Sequence, residues 1–204
     1  MTDIWKKIGG FLKRSYVTRT EGYTNVFPKR ELWEKVANEI GGSFKISHNS
    51  GCELEILRIY MEYKGVKIVI SESDTRPLKF EMEFLSAKNF ELSIGWEDSI
   101  DRIIKTLGKR EVEIGNLEFD NHYLINTNDG KITKSFLTRE ITNLLLKHNV
   151  CSLSYLTDKK KGISNFASVI NRTTSEKENI VELVELHQKI IDSLVVLELI
   201  SSDD

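Results

Sequence analysis

The chain has 204 residues, with 29 basic and 31 acidic side chains and a formal net charge of −2. Apolar residues make up 40% of the sequence and charged residues 29%, which excludes a disordered, collagen-like or disulfide-scaffold protein. The length predicts a single core, and the lack of an overall positive charge argues against a general nucleic-acid binder.

The near-neutral total conceals two oppositely charged ends. Residues 1–20 hold five basic side chains against one acidic one, a net charge of +4. Residues 175–204 hold eight acidic side chains against two basic ones, a net charge of −6, and the sequence between the two ends is neutral. The basic end therefore predicts a local anionic partner, either a lipid surface or the acidic end of the same chain.

Residues 1–27 are predicted to form a basic amphipathic segment, distinct from a single α+β domain over residues 28–204. On a helix, the apolar side chains of this segment share one face, and lysine and arginine occupy much of the rest. The pattern predicts docking on the body or on a second copy, binding to an anionic membrane surface, or a disordered tail. The predicted membrane- or partner-binding residues are Ile4, Trp5, Lys6, Lys7, Ile8, Phe11, Leu12, Lys13 and Arg14.

The compartment is predicted from the cysteines and from hydropathy. Cys52 and Cys151 have neither zinc-ligand nor redox-pair spacing, so reduced thiols are expected. The sequence opens without a secretory signal pattern, and its most apolar stretch, residues 190–200, is too short to span a bilayer. We therefore expect a cytoplasmic protein, with a peripheral position on the inner face of the membrane as the alternative, and no cofactor.

A helix followed by antiparallel strands is predicted for the first half of the domain. Pro28 suits the first turn of the helix, and Gly41-Gly42 suits its end. Apolar and charged residues then alternate over 57–63 and 80–84, which is the pattern of half-buried antiparallel strands. Lys64-Gly65 predicts a hairpin turn between the first strands of this region.

The second half of the domain is predicted to alternate hairpins with helices. The expected elements are helices over 100–107 and 136–145, strands over 110–114 and 119–127, and a hairpin over 151–170. A capping box at Ser175-x-x-Glu178 opens the longest helix. The predicted fold class is α+β: a mostly antiparallel sheet with helices packed on one face, hairpin–helix units in the C-terminal half and a long C-terminal helix.

Two stretches of the sequence resemble a bacterial family of unknown function. The resemblance is carried by Leu32-Trp33-Glu34-Lys35-Val36-Ala37 with Ile40-Gly41-Gly42, and by Gly115-x-x-Glu118-Phe119-Asp120-x-x-Tyr123-x-Ile125 with Asn128-Asp129 and Phe136-Leu137-Thr138. Together these motifs extend over about half of the chain. The resemblance implies no particular activity. Some members of the family that it resembles carry transmembrane helices near the N-terminus, where this sequence has the basic amphipathic segment instead.

Glu118, Asp120 and His122 form the most concentrated polar group. On a strand over 118–125 these side chains share one face, where two carboxylates and an imidazole suit a divalent metal or proton transfer. The simpler interpretation is a solvated strand face opposite a buried face. We therefore predict no metal site, and keep the three residues as candidates for the alternative of a metal-dependent enzyme.

Two further histidines and the C-terminal helix are expected to have structural roles. His148 is predicted to interact with a helix C-terminus, and His187 to be a satisfied, half-buried residue of the last helix. The stretch from Leu194 to Ile200 is apolar nearly all round, which predicts burial or self-association as a dimer. The common phosphate-binding and hydrolase motifs do not occur in the sequence, and no catalytic residue is predicted.

The sequence as a whole predicts a soluble, non-enzymatic interaction module that binds a protein partner or itself. The first alternative is a peripheral membrane-associated domain anchored by residues 3–16. The second is the metal-dependent enzyme described above. Nucleic acid is not an expected partner.

Overall fold

The computed structural model describes residues 26–49, 52–73, 76–96, 110–170 and 176–201. Several predictions fall outside these residues: the basic amphipathic segment with its nine binding residues, the helix over 100–107, and the capping serine at position 175.

Five helices and nine strands are formed by the described residues. The helices are α1 (Val26–Glu39), α2 (Leu117–His122), α3 (Gly130–Phe136), α4 (Arg139–Lys147) and α5 (Lys177–Val196). The strands are β1 (Ser43–Asn49), β2 (Cys52–Tyr63), β3 (Val66–Ser73), β4 (Arg76–Leu85), β5 (Leu92–Gly95), β6 (Arg110–Glu111), β7 (Leu124–Thr127), β8 (Val150–Asp158) and β9 (Ile163–Ile170).

All of these strands belong to one sheet, in the order β1-β2-β3-β4-β9-β8-β5-β7-β6. Every neighbouring pair is antiparallel. The predicted α+β class, the antiparallel sheet and the long C-terminal helix are therefore confirmed.

One face of the sheet is apolar and is covered by helices. In the register of β3, β4 and β9, Ile68 lies opposite Met82, and Met82 lies opposite Phe166, so the alternate positions of successive strands form continuous apolar rows. Helix α5 packs on these rows, with Ile190 and Leu194 fully buried, and α1 contacts α5 as well as β1 and β2. The main core therefore lies between this face and the two helices.

Helix α1 begins and ends where the sequence predicted. Pro28 lies in its first turn, and its apolar stripe buries Trp33 and Val36 completely. Gly41 adopts a φ of 69°, and the Gly42 N–H donates to the Ala37 carbonyl at 2.7 Å, which closes the helix end. The chain then reverses directly into the edge strand β1.

The prediction of a strand over 119–127 is wrong in its first half, because residues 117–122 form the helix α2. The Asn116 side chain accepts a hydrogen bond from the Phe119 N–H and caps this helix. The chain becomes extended only at β7. The strand predicted over 110–114 shrinks to the two residues of β6.

The single helix predicted over 136–145 is also wrong, since two helices occupy this part of the chain. Asp129 caps α3, which ends at Phe136, and Thr138 caps α4 by accepting a hydrogen bond from the Ile141 N–H at 3.3 Å. Single strands and short helices therefore precede β8. The unit of β8, β9 and α5 is the hairpin–helix unit that the described residues contain.

Candidate interaction surface

A groove of about 960 Å³ lies where the ends of β3 and β4 meet the end of α5. We call it the C-terminal groove. Its apolar lining consists of Val66, Val69, Met82, Phe84, Leu85, Val195 and Ile200. Its charged lining consists of Lys64, Lys67, Glu81 and Glu83.

The strand side of the C-terminal groove follows from a tight hairpin and strict alternation. Lys64 and Gly65 both have positive φ, 49° and 76°, as the two central residues of a hairpin turn require. Beyond this turn, β3 alternates buried and more exposed side chains, and Lys67 comes to lie opposite Glu83 of β4. Val66, Met82 and Phe84 lie on the sheet face that α5 covers, whereas Lys67, Glu81 and Glu83 lie on the opposite face, so the groove is a notch at the strand ends that residues of both faces line.

The helix side of the C-terminal groove is the end of α5, where the outward side chains change from charged to apolar. The outward stripe of this helix is Glu178, Glu182, Glu185, Lys189, Asp192 and Val196. Five charged residues are thus followed by a valine that is 81% exposed, and the neighbouring Val195 is 43% exposed. The end of α5 presents apolar surface to solvent where the preceding turns present charge.

The chain after α5 completes the floor of the groove. Glu198 has a φ of 53°, and the Leu199 N–H donates to the Leu194 carbonyl at 2.9 Å, so the chain turns back at this point. Ile200 then pairs with Ser86 in an antiparallel bridge, and the Ser201 N–H donates to the Leu85 carbonyl. These backbone bonds hold the residues that follow α5 against the end of β4.

An ion pair ties the hairpin turn to α5 at one end of the groove. The Lys64 Nζ lies 2.6 Å from an Asp192 carboxylate oxygen, and this hydrogen bond raises the pKa of Lys64. The Tyr63 hydroxyl donates to the same carboxylate at 3.3 Å. The pair is solvent-exposed, so its contribution is to position the turn rather than to add much stability.

The predicted metal candidates do not form the face that the sequence suggested. Because α2 is a helix, Glu118 and His122 are one turn apart on one side, and Asp120 points elsewhere. The Asp120 carboxylate accepts hydrogen bonds from the backbone N–H groups of Ile114 at 3.0 Å and Gly115 at 2.9 Å. Within the described ranges, no group of three or more potential His, Cys, Asp or Glu ligands is placed to hold a metal ion.

A second, shallower depression of about 520 Å³ lies beside the start of α2. It contains Glu118 together with Arg139 and Thr142 of α4, and Leu117 on its margin is 82% exposed. The Asn116 amide of this depression contacts the Thr142 hydroxyl at 3.5 Å, and its oxygen caps α2. The Asn116 and Thr142 side chains of this depression therefore bond the local backbone.

Sequence reasoning missed a serine–histidine pair in the core. The Ser168 Oγ lies 2.6 Å from the His187 Nε2, and the His187 Nδ1 lies 2.6 Å from the Leu183 carbonyl oxygen. This is the spacing of a nucleophile and its base, but His187 is fully buried, and its ring stacks on Phe80 at 3.8 Å. Burial lowers the pKa of His187 to about 4. The pair has no access to solvent and serves the packing of α5 on the sheet.

His148 has the helix-terminal position that the sequence predicted. It is the C-terminal cap of α4, with its Nε2 3.2 Å from a carboxylate oxygen of Glu182 in α5. Burial lowers its pKa, while the Glu182 carboxylate opposes that shift. His148 therefore joins α4 to α5.

These elements define an α+β fold with one nine-stranded antiparallel sheet. No protein-family model and no curated protein matches the chain. A similar solved structure is the crystal structure of the mycobacterial trehalose monomycolate transport factor A, TtfA. It is 9% identical, with a TM-score of 0.53 over 88% of this chain and 100% of that one. At this identity the similarity shows the fold alone.

No helix within the part of the chain that the structure describes combines the length and apolar character needed to cross a membrane.

Proposed function

We propose that this chain is a non-enzymatic interaction module that binds protein through the C-terminal groove. The observation that carries the proposal is the exposed apolar end of α5 beside a groove that apolar and charged residues line. Protein interfaces combine an apolar centre with a polar margin in the same way, and Leu85, which is 46% exposed, extends the apolar surface across the groove.

The two arrangements that resemble catalytic groups support this proposal, because each has a structural role. Asp120 spends both carboxylate oxygens on backbone N–H groups of its own loop. Ser168 and His187 satisfy one another within the core. The C-terminal groove, in contrast, combines volume, exposure and apolar surface, which is what a binding segment needs.

The proposal is tested by selecting peptides from a random library on the full chain, with a groove variant as the counter-selection. Val195→Lys places a charge in the groove, and the lysine suits the C-terminal end of α5. Leu117→Asp is the matched control, because it replaces an exposed apolar residue at the start of another helix with the charge that suits that end.

We expect to select apolar peptides that bind both the natural chain and Leu117→Asp. Their affinity for Val195→Lys is expected to be about tenfold lower. If every selected peptide binds Val195→Lys as well as the natural chain, the groove is not the binding surface and the proposal fails.

A peripheral membrane function is the second candidate, with a cytoplasmic location as part of both proposals. It is supported by the sequence pattern of residues 3–16, an apolar face with a basic flank. Co-sedimentation with phosphatidylserine-containing vesicles tests it. Deletion of residues 1–20 is expected to abolish binding, and equal sedimentation of the full and shortened chains would reject the anchor.

A further inference from the structure

The sheet face opposite α5 is buried over one half of the sheet. We call it the far face, and it carries Ser93 of β5, Asn126 of β7 and Ala167 of β9, which lie in one row. Ser93 and Asn126 are each 1% exposed, and Ala167 is buried as well. On the far face of β3 and β4, in contrast, Lys67 and Glu83 are exposed. The far face is therefore covered over one half of the sheet and open over the other.

The helices that the structure describes do not account for this burial. Helices α1, α3 and α4 all contact α5, and α2 adjoins α4 through the Asn116 amide and the Thr142 hydroxyl, so these helices lie on the α5 side of the sheet. The Ser93 Oγ and both amide atoms of Asn126 are buried without a hydrogen-bond partner among the described residues. Buried polar atoms usually have partners, so the cover of the far face belongs to a part of the chain outside the described ranges.

The connection from β5 to β6 has the course that this cover requires. Both strands pair antiparallel with β7, which lies between them, so β5 and β6 are parallel. Leu92 and Arg110 both pair with Thr127, so the chain that leaves the end of β5 returns to the level of its start. Residues 97–109 therefore run back along the sheet and cross β7. Parallel strands are joined by such crossovers of a dozen or more residues, which are usually helical.

The hand of this connection places it on the far face. The Ile125 side chain points to the α5 face, and its carbonyl accepts a hydrogen bond from the Val112 N–H at 2.9 Å, on the β6 side of β7. For L-residues this fixes the orientation: seen from the far face with β5 and β6 pointing upward, β6 lies to the right of β5. In that view a right-handed connection passes in front of the sheet, and about 98% of such connections are right-handed.

We propose that residues 97–109 dock on the far face over β5 and β7, with an apolar stripe turned toward the sheet. The helix that the sequence predicts over 100–107 has this stripe, which consists of Ile100, Ile103, Ile104 and Leu107. The sheet offers small residues in return, Ser93 and Gly95 on β5 and Ser154 on β8, so large and small side chains alternate across the contact. The inference is independent of the proposed function, because it concerns the face away from α5.

A disulfide scan of the full chain tests the proposal. Ser93→Cys is combined with one further cysteine, placed in turn at each position of the apolar stripe, in the background Cys52→Ser/Cys151→Ala. Arg102→Cys and Lys105→Cys are the matched controls, because on the predicted helix they lie on the side away from the stripe. Since a disulfide needs closely spaced Cβ atoms, its yield after mild oxidation reports which residues of the segment face Ser93.

We expect an intramolecular disulfide with at least one stripe position, in about tenfold higher yield than with either control. Absence of a disulfide at all four stripe positions overturns the proposal, as do equal yields at stripe and control positions. Disulfides between two chains instead of within one chain also overturn it. Thermal melting of each reduced variant identifies any that fail to fold, and testing the stripe positions separately keeps the scan informative.

A second measurement needs no change in the segment. Ser93→Cys and Val69→Cys place one thiol each on the far face, the first over the proposed contact and the second on β3. The Ser93→Cys thiol is expected to react with a maleimide at least about tenfold more slowly than the Val69→Cys thiol, because labelling requires the cover to open. Equal labelling rates in the folded chains would show that the far face is open at Ser93 and would reject the docking.

Discussion

The Ser168 hydroxyl of β9 donates a hydrogen bond to the His187 Nε2 of α5 at 2.6 Å, and this bond joins the last strand to the last helix. The direction follows from the other side of the ring. The Leu183 carbonyl oxygen accepts only, so the Nδ1 carries the proton and the Nε2 is the acceptor. Neutral His187 thus satisfies both ring nitrogens inside the core.

Ser168→Ala is expected to destabilise the chain by about 1–3 kcal/mol, because the buried Nε2 loses its donor. The double variant Ser168→Ala/His187→Phe is expected to cost less than the sum of the single variants, since no polar atom of the pair is left unsatisfied. Urea unfolding of the natural chain, Ser168→Ala, His187→Phe and the double variant measures the coupling free energy between the two side chains. Additive costs would show that the two side chains do not interact.

The stability of the chain is expected to fall between pH 6.5 and pH 4 because of His187. Its pKa is lowered by burial from an ordinary value of 6.5 to about 4, so the unfolded chain binds a proton in this range and the folded chain does not. The stabilisation is therefore complete above pH 6.5 and is lost as the pH approaches 4.

The predicted loss from His187 alone is about 3 kcal/mol over this range. Urea unfolding at several pH values is measured on the natural chain and on Ser168→Ala/His187→Phe. The difference between the two pH profiles gives the contribution of His187, because every other titrating group is common to both chains. Parallel pH profiles for the two chains would show that His187 makes no such contribution.

The sequence predicted the features that depend on neighbouring residues. Gly41-Gly42 ended α1, and Lys64-Gly65 turned β2 into β3, because each signal acts within a few residues of the place where it occurs. The same holds for the alternation along β3 and β4, where each second side chain contacts the core.

The errors arose where a short local cap overrides a longer pattern. Asn116 starts a helix of only six residues, too short for a 3.6-residue period to be visible. Thr138 caps α4 in the middle of an apolar stripe that continues through the break, with Phe136 and Leu137 buried on one side and Ile141 on the other. The apolar positions were correct, but the boundary was not.

Sequence reasoning indicated one side of the C-terminal groove, the end of α5, but not the strand side. The apolar end of α5 indicated burial or self-association. Most of the other lining residues come from β3 and β4, more than a hundred positions earlier in the chain, and only the sheet register places them beside one another. The Ser168–His187 pair depends in the same way on how α5 docks on β9.

Gly42→Ala is expected to destabilise the chain more than Gly41→Ala. A Cβ at Gly42 would lie 2.7 Å from the Ile59 Cγ2 and 3.1 Å from the Tyr60 carbonyl oxygen, so β2 has to move, at a cost of about 1–3 kcal/mol. A Cβ at Gly41 meets open space, and only its positive φ costs about 1 kcal/mol. Thermal and urea unfolding compare the two. Equal costs would show that the approach of β2 is not close enough to matter.

Asp120→Ala is expected to destabilise the loop before α2 by about 2 kcal/mol, because two backbone N–H groups lose a charged acceptor. Asp120→Asn keeps one acceptor oxygen and is expected to cost about half as much. Glu118→Ala is expected to leave the free energy of unfolding unchanged, since this side chain is exposed.

A metal site formed by Glu118, Asp120 and His122 makes the opposite prediction: bound metal in the purified chain, lost in both alanine variants. Urea unfolding together with metal analysis by mass spectrometry separates the two interpretations, and one equivalent of metal that disappears with either substitution would reject the structural role of Asp120.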